Sequence, residues 1–196
     1  MDSRPLEDPR HHLPRLPPEY YRGFAVIHWT MTIRDRRTGW LDERFHDAFR
    51  EVLLHGLARH QCCCSVYCLM PDHVHLLIVG WSHAADQLLF ARFLKRHVND
   101  LLSERLKGCE FQRESHDHVM RRDELSEIEF RNAVLYIADN PVEAGLVSAP
   151  EEYAFTGVML PGFPKLSFWD ERFWRVSWDA TTKRMKEANA SWNLPP

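Results

Sequence analysis

The chain has 196 residues, a length typical of one domain or of one domain with an appendage. Hydrophobic residues make up 44% and charged residues 27% of it, which excludes a disordered protein and a collagen-like repeat. The formal net charge is -3, so any binding of nucleic acid must depend on local basic patches rather than on overall charge.

The first segment of the chain differs in composition from the segments that follow it. Residues 1–19 are rich in Pro, Arg and His without apolar periodicity, which predicts a flexible arm. They lack the apolar core of a signal peptide, and no segment approaches the roughly 18 apolar residues that a membrane helix needs. We therefore expect a cytoplasmic protein that does not contact membranes.

The segments that follow alternate between strand and helix patterns. Residues 24–33 alternate apolar and polar side chains and predict a strand, whereas residues 41–60 carry apolar side chains at helical spacing. The apolar runs 62–70 and 73–80 flank a short Pro-Asp break, which predicts an antiparallel hairpin.

Sequence patterns in the second half of the domain predict a helix, then an extended segment and then another helix. These cover Ala84 to about Lys107, residues 109–121, and residues 123–140, where Pro141 is expected to end the last helix. The order β-α-β-β-α-β-α matches an α+β fold of the ferredoxin-like split βαβ type, an antiparallel sheet with helices on one face.

Three regions follow from these patterns: the arm 1–19, a domain over 20–150, and a Trp-rich extension over 151–196. The extension shows little periodicity, so no element is predicted in it, and its tryptophans are candidates for stacking or packing. They include Trp169, Trp174, Trp178 and Trp192.

The five cysteines suit a reducing compartment, because the count is odd and three of them are adjacent at 62–64. A zinc-stabilised interaction module that uses Cys64, Cys68 and histidines is one alternative for the whole protein. On a regular strand these two thiols would share a face about 13 Å apart, too far for one ion about 2.3 Å from each sulfur. We interpret the cysteines as small buried hydrophobic residues.

Two histidines at positions i and i+2 begin the second arm of the predicted hairpin. A strand places His73 and His75 on one face, about 6.6 Å apart along the backbone, so that both can reach one metal ion. A polar rim of the sheet is the alternative reading. His116 and His118 have the same spacing, but no clean apolar strand follows them, and we interpret them as structural or supporting.

A tyrosine and an asparagine lie one turn apart on the last predicted helix. Tyr136 supplies a phenol and Asn140 an amide oxygen on the same helical face. Taken singly, a helical tyrosine is usually a core or interface residue, and an asparagine before a proline is usually a helix stop. Two imidazoles, an amide and a phenol together are typical of a metal-assisted phosphoryl-transfer site.

The segments MPDHVHLLIVG and YIADNPVEAGLV resemble the two signatures of the REP-associated tyrosine transposases, single-tyrosine HUH transposases related to the insertion-sequence-200 type. The resemblance extends from about residue 20 to residue 153. It implies that His73, His75 and Asn140 bind a divalent metal, Mg or Mn, and that Tyr136 is the nucleophile. It also implies cleavage of single-stranded DNA beside a hairpin through a 5'-phosphotyrosine, by a monomer or a homodimer.

Three basic clusters are candidates for DNA contacts, although each is also compatible with a solvated surface. They are Arg34, Arg36 and Arg37; Arg92, Lys95 and Arg96; and Arg121 and Arg122. The weak negative net charge favours a second alternative, a domesticated nucleic-acid-binding protein that does not cleave DNA.

Overall fold

The structure is a computed structural model and describes residues 15–121, 125–163, 166–167 and 169–187, with side chains as far as residue 182. Five strands and four α-helices make up this part of the chain. In chain order they are β1 (Val26–Thr32), α1 (Glu43–Arg59), β2 (Cys62–Met70), β3 (His73–Gly80), α2 (Gln87–Arg105), β4 (His116–Met120), α3 (Glu127–Glu143), β5 (Thr156–Met159) and α4 (Phe173–Glu187).

The strands form one antiparallel sheet in the order β4-β1-β3-β2-β5. The first four strands have the order expected of the ferredoxin-like fold, with β1 and β3 at the centre. The predicted α+β class and the antiparallel sheet are therefore confirmed. The strand β5 was not predicted, because its four residues carry no pattern long enough to identify a strand.

The helices cover both faces of the sheet, which corrects the expectation that they share one face. The first face packs on α1 and α2, whose buried side chains include Phe49 and Leu94. The opposite face packs on α3 and α4 through side chains such as Val134 and Phe173. Both faces of β2 are buried, and its uninterrupted apolar sequence is typical of a strand covered on two sides.

A β-bulge in β2 separates the two cysteines considered for zinc. The pairing with β3 shifts between Cys64 and Val66, so Ser65 is an extra residue and the alternation of faces changes there. Cys64 consequently packs with α1 and α2, whereas Cys68 packs beneath α3. The expectation that these thiols share a face is wrong, and this separation removes the pair on which a zinc module would depend.

Helix α3 differs from its prediction at both ends. It begins at Glu127, where the Oγ of Ser126 accepts a hydrogen bond from the amide of Glu129. Pro141 does not end it, because the helix continues to Glu143. Its last turn is closed by hydrogen bonds from the Ala144 amide to the Asn140 carbonyl and from the Leu146 amide to the Pro141 carbonyl. Asn140 therefore lies inside the helix rather than at its end.

Both predicted appendages contact the domain where they are described. Residues 1–14 lie outside the described residues, but Arg15 forms an ion pair with Asp117, so the chain packs on the domain before residue 20. At the other end β5 pairs with β2, and the Tyr153 hydroxyl donates to the Leu69 carbonyl at 2.7 Å. The extension thus contributes the edge strand β5 to the sheet, while Trp192 lies outside the described residues. Among the described helices, none has the length and apolar character needed to cross a bilayer.

Candidate active site

The two central strands present a polar face beneath α3. In β1 the side chains of Ile27, Trp29 and Met31 pack towards α1 and α2, so alternation directs His28 and Thr30 to the opposite face. Thr30 pairs directly with His75 in β3. The register of an antiparallel pair therefore brings histidines of two strands together.

The histidine pair, His73 and His75, converges on one point. Their Nε2 atoms lie 2.9 Å apart, and their ring planes are nearly perpendicular. The predicted i and i+2 spacing thus places both rings on one face. Each Nδ1 atom has another contact: that of His73 lies 2.6 Å from a carboxylate oxygen of Asp72, and that of His75 lies 3.0 Å from the Nε2 of His28.

His28 belongs to this cluster and was missed from the sequence. Burial lowers its pKa to about 4, with a smaller contribution from His118. Burial likewise lowers the pKa of His75 to about 3, helped by His28 and His73. Both rings are therefore uncharged at neutral pH and can offer lone pairs. His28 could have been noticed as a polar residue in an apolar strand. Its contact with His75 could not be predicted, because it depends on the register of β1 with β3.

Tyr136 lies over this cluster. Its side chain is 50% exposed, and its ring centroid lies 5.9 Å from that of His28 and 6.1 Å from that of His75, both in edge-to-face geometry. Two other tyrosines, Tyr21 and Tyr67, are fully buried among the packing of α1 and α2. Tyr136 is thus a phenol near imidazoles that solvent and a substrate can reach.

Asn140 connects the helix to the histidine pair. Its side-chain amide donates to the Tyr136 carbonyl at 2.7 Å. The same side chain lies near the ring of His75, where it partly opposes the lowering of that ring's pKa by burial. The structure therefore brings together the four residues that the sequence singled out: His73, His75, Tyr136 and Asn140.

The donor atoms fit a divalent cation. Two converging imidazole nitrogens and a neighbouring amide oxygen are acceptable ligands for Mn²⁺, whereas Mg²⁺ prefers oxygen donors throughout. Across the described ranges no group of three His, Cys, Asp or Glu side chains could hold a metal ion. A set of three protein donors at this place would therefore need an oxygen such as that of the Asn140 side chain.

The arginines of the β1–α1 connection contact the protein itself. Arg34 pairs with Glu110, and Arg36 donates to Asp72 at 2.7 Å. Arg37 donates to the carbonyl of Lys107 at 3.0 Å. The connection leaves β1 at the end where Thr32 pairs with His73, so it lies beside the histidine pair.

The second basic cluster lies on the other side of the sheet. Arg92 and Arg96 are exposed on α2, which packs on the face opposite Tyr136. Lys95 donates to the carbonyls of Gln112 and Arg113 and to the hydroxyl of Ser115, and burial lowers its pKa. Lys95 therefore holds the segment before β4 through hydrogen bonds, and its ammonium group is engaged within the protein.

The remaining predicted residues lie along β4 or beyond it. His118 pairs with His28 and His116 with Thr30, so both exposed histidines extend the polar face towards the sheet edge. Arg121 directly follows β4 and Arg122 lies outside the described residues.

No protein-family model matches the chain, and no curated protein matches it. Among solved structures, a REP-associated tyrosine transposase bound to a REP hairpin has a TM-score of 0.60 and 21% identity, over 70% of this chain and 78% of that chain. A candidate transposase from Deinococcus radiodurans R1 has a TM-score of 0.42 and 16% identity, over 68% and 97% of the two chains. The first likeness shows a shared fold and confirms the fold that the resemblance in sequence implied.

Proposed function

We propose that the protein is a metal-dependent single-stranded DNA endonuclease and strand transferase, a transposase of the single-tyrosine HUH type. The observation that carries this proposal is the position of Tyr136 above the histidine cluster, with ring centroids 5.9 Å from His28 and 6.1 Å from His75. A phenol, two imidazoles and an amide oxygen in one accessible place suit phosphoryl transfer.

The metal ligands in this proposal are His73 and His75 through Nε2 and Asn140 through its side-chain oxygen. A bound Mg²⁺ or Mn²⁺ would withdraw charge from the phosphoryl oxygens of the scissile linkage. Because both imidazoles are buried or half-buried on a central strand, they need little reorganisation to bind an ion. The bond between Asn140 and the Tyr136 carbonyl couples the position of this ligand to that of the nucleophile.

The chemical step is a transesterification at Tyr136. Its phenolic oxygen attacks the phosphorus and forms a 5'-phosphotyrosine, while the bond from phosphorus to the 3' oxygen breaks. The phenolic proton leaves to water, and the departing oxygen takes up a proton to give a free 3'-OH. The attack of another 3'-OH on the phosphotyrosine reverses the step and joins two strands. Because one phosphate ester replaces another at each step, the energy of the ester bond is retained and no ATP is needed.

The proposed partner is single-stranded DNA that carries a hairpin or REP-like element. The structural neighbour of the same fold is described as bound to a REP hairpin. In this chain the β1–α1 connection, with Arg34, Arg36 and Arg37, is placed beside the histidine pair and is the first candidate for phosphate contacts. Arg121 and Arg122 beyond β4 are a second candidate.

Incubation of the protein with a hairpin-bearing single strand tests the proposal. We expect a covalent protein–DNA adduct on a denaturing gel with Mn²⁺ or Mg²⁺, and none with EDTA or with Tyr136→Phe. The conservative variant Tyr153→Phe is the matched control and should form the adduct. Salt-sensitive DNA binding without any adduct would contradict the proposal and favour the non-cleaving DNA-binding alternative.

A further inference from the structure

Asp72 lies between an arginine and one of the histidine pair. One carboxylate oxygen is 2.7 Å from Nη1 of Arg36, and the other is 2.6 Å from Nδ1 of His73. The carboxylate is partly buried, with 23% of its side chain exposed. Neither Asp72 nor this use of Arg36 was predicted from the sequence, where Arg36 was considered only for DNA contacts.

The chemistry of these two contacts determines the tautomer of His73. An ionised carboxylate can only accept hydrogen bonds, so the proton of the neutral ring must be on Nδ1. The Nε2 atom then keeps its lone pair and points at the Nε2 of His75, 2.9 Å away. In the alternative tautomer, the lone pair of Nδ1 would face a lone pair of the Asp72 carboxylate. The proton would then be on Nε2, the atom proposed to bind the metal.

The β1–α1 connection brings Arg36 to this carboxylate. Asp35 and Arg36 both have positive φ, 57° and 49°, a conformation that costs energy for residues other than glycine. The Ile33 amide donates to the Asp72 carbonyl at 2.9 Å and fixes the connection to the hairpin turn. This backbone conformation places the Arg36 side chain at the carboxylate oxygen of Asp72 that His73 does not contact.

We propose that Asp72, held by Arg36, is a positioning residue that keeps His73 in the Nδ1–H tautomer and presents Nε2 to a divalent metal. Carboxylates commonly orient metal-binding imidazoles through the second ring nitrogen, and their removal lowers metal affinity about 10- to 100-fold. This inference rests on the proposed function, because it concerns a ligand of the proposed metal.

Two measurements on the full chain test the inference. Imidazole ¹⁵N chemical shifts in metal-free protein report the tautomer of His73, and titration with Mn²⁺ alone reports metal affinity. For Asp72→Ala we expect a shift of His73 towards the Nε2–H tautomer and a Mn²⁺ affinity about 10- to 100-fold lower. Glu110→Gln is the matched control, because it breaks the Arg34 ion pair of the same connection without touching a histidine.

The inference is overturned if Asp72→Ala retains both the wild-type tautomer and the wild-type Mn²⁺ affinity. If Asp72→Ala does not fold, Asp72→Leu supplies a side chain without any hydrogen-bond acceptor. The same tautomer shift and loss of Mn²⁺ affinity in this variant support the inference, and their absence overturns it. A wild-type protein that binds no Mn²⁺, although Asp72→Ala shifts the tautomer, would refute the proposed metal site and leave the positioning role supported.

Discussion

The ring of Tyr136 lies edge-to-face with the ring of His75, with centroids 6.1 Å apart, although one comes from α3 and the other from β3. This relationship exists because α3 crosses the face of the sheet that α1 and α2 leave uncovered. The helix that carries the phenol therefore also forms the cover of the histidine cluster. Its buried side chains, Phe130, Val134 and Ile137, fix the height of Tyr136 above the strands.

Acidification should destabilise the metal-free protein through His28. Its pKa is about 4 in the folded protein and near the ordinary value of about 6.5 when unfolded, so the unfolded chain binds the proton more readily between these values. Stability is therefore present above pH 6.5 and is lost as the pH falls towards 4. In urea unfolding with EDTA we expect His28 to account for a loss of about 2 kcal/mol between pH 7 and pH 5.

The variant His28→Gln should show a smaller loss of unfolding free energy over that range. His55→Gln is its control, because it changes an exposed histidine of α1. Equal pH dependence in wild type and His28→Gln would show that His28 is not held in its uncharged form.

Basic residues on opposite faces of the sheet should contribute unequally to DNA binding. Arg92 and Arg96 lie on the face away from Tyr136, so we expect their combined replacement by Ala to leave both affinity and salt dependence nearly unchanged. Arg34→Ala, in the connection beside the histidine pair, should weaken binding and reduce the slope against log salt by about one. Fluorescence anisotropy across a salt series measures both, and the reverse ranking would contradict the proposed DNA path.

Gly80 should tolerate no side chain. A Cβ at this position would lie 1.7 Å from the carbonyl oxygen of Gly23. The pairing of β3 with β1 holds the two backbone segments at this distance, so the contact cannot be relieved by moving a side chain. We expect Gly80→Ala to lower the unfolding free energy by about 1–3 kcal/mol or more. Leu89→Ala, at an exposed position of α2, should change it by less than about 0.5 kcal/mol, and an equally stable Gly80→Ala would contradict this close approach.

Sequence patterns predicted the relative positions of the candidate site residues where local periodicity and motif spacing were sufficient. Alternation in β3 placed His73 and His75 on one face, and one helical turn placed Tyr136 beside Asn140. These are relationships within single elements. The structure adds that the elements converge, which the spacing alone could not establish.

Residues that depend on pairing between distant segments were not found. His28 joins the cluster only through the register of β1 with β3, and Asp72 is recognisable only beside Arg36. The bulge at Ser65 changed the face of Cys64 relative to Cys68, which simple alternation cannot predict. The position of α3 on the second face of the sheet was not predicted, because it depends on tertiary packing. The uninterrupted apolar sequence of β2 did indicate a strand that is covered on both faces.

The central claim is that Tyr136 becomes joined to DNA, and mass spectrometry of the digested covalent adduct tests it most directly. The account predicts an oligonucleotide remnant, attached through its 5' phosphate, on the peptide that contains Tyr136. The buried Tyr21 and Tyr67 and the hydrogen-bonded Tyr153 should be unmodified. An adduct on any residue other than Tyr136, or DNA cleavage that leaves no phosphotyrosine, would contradict the account.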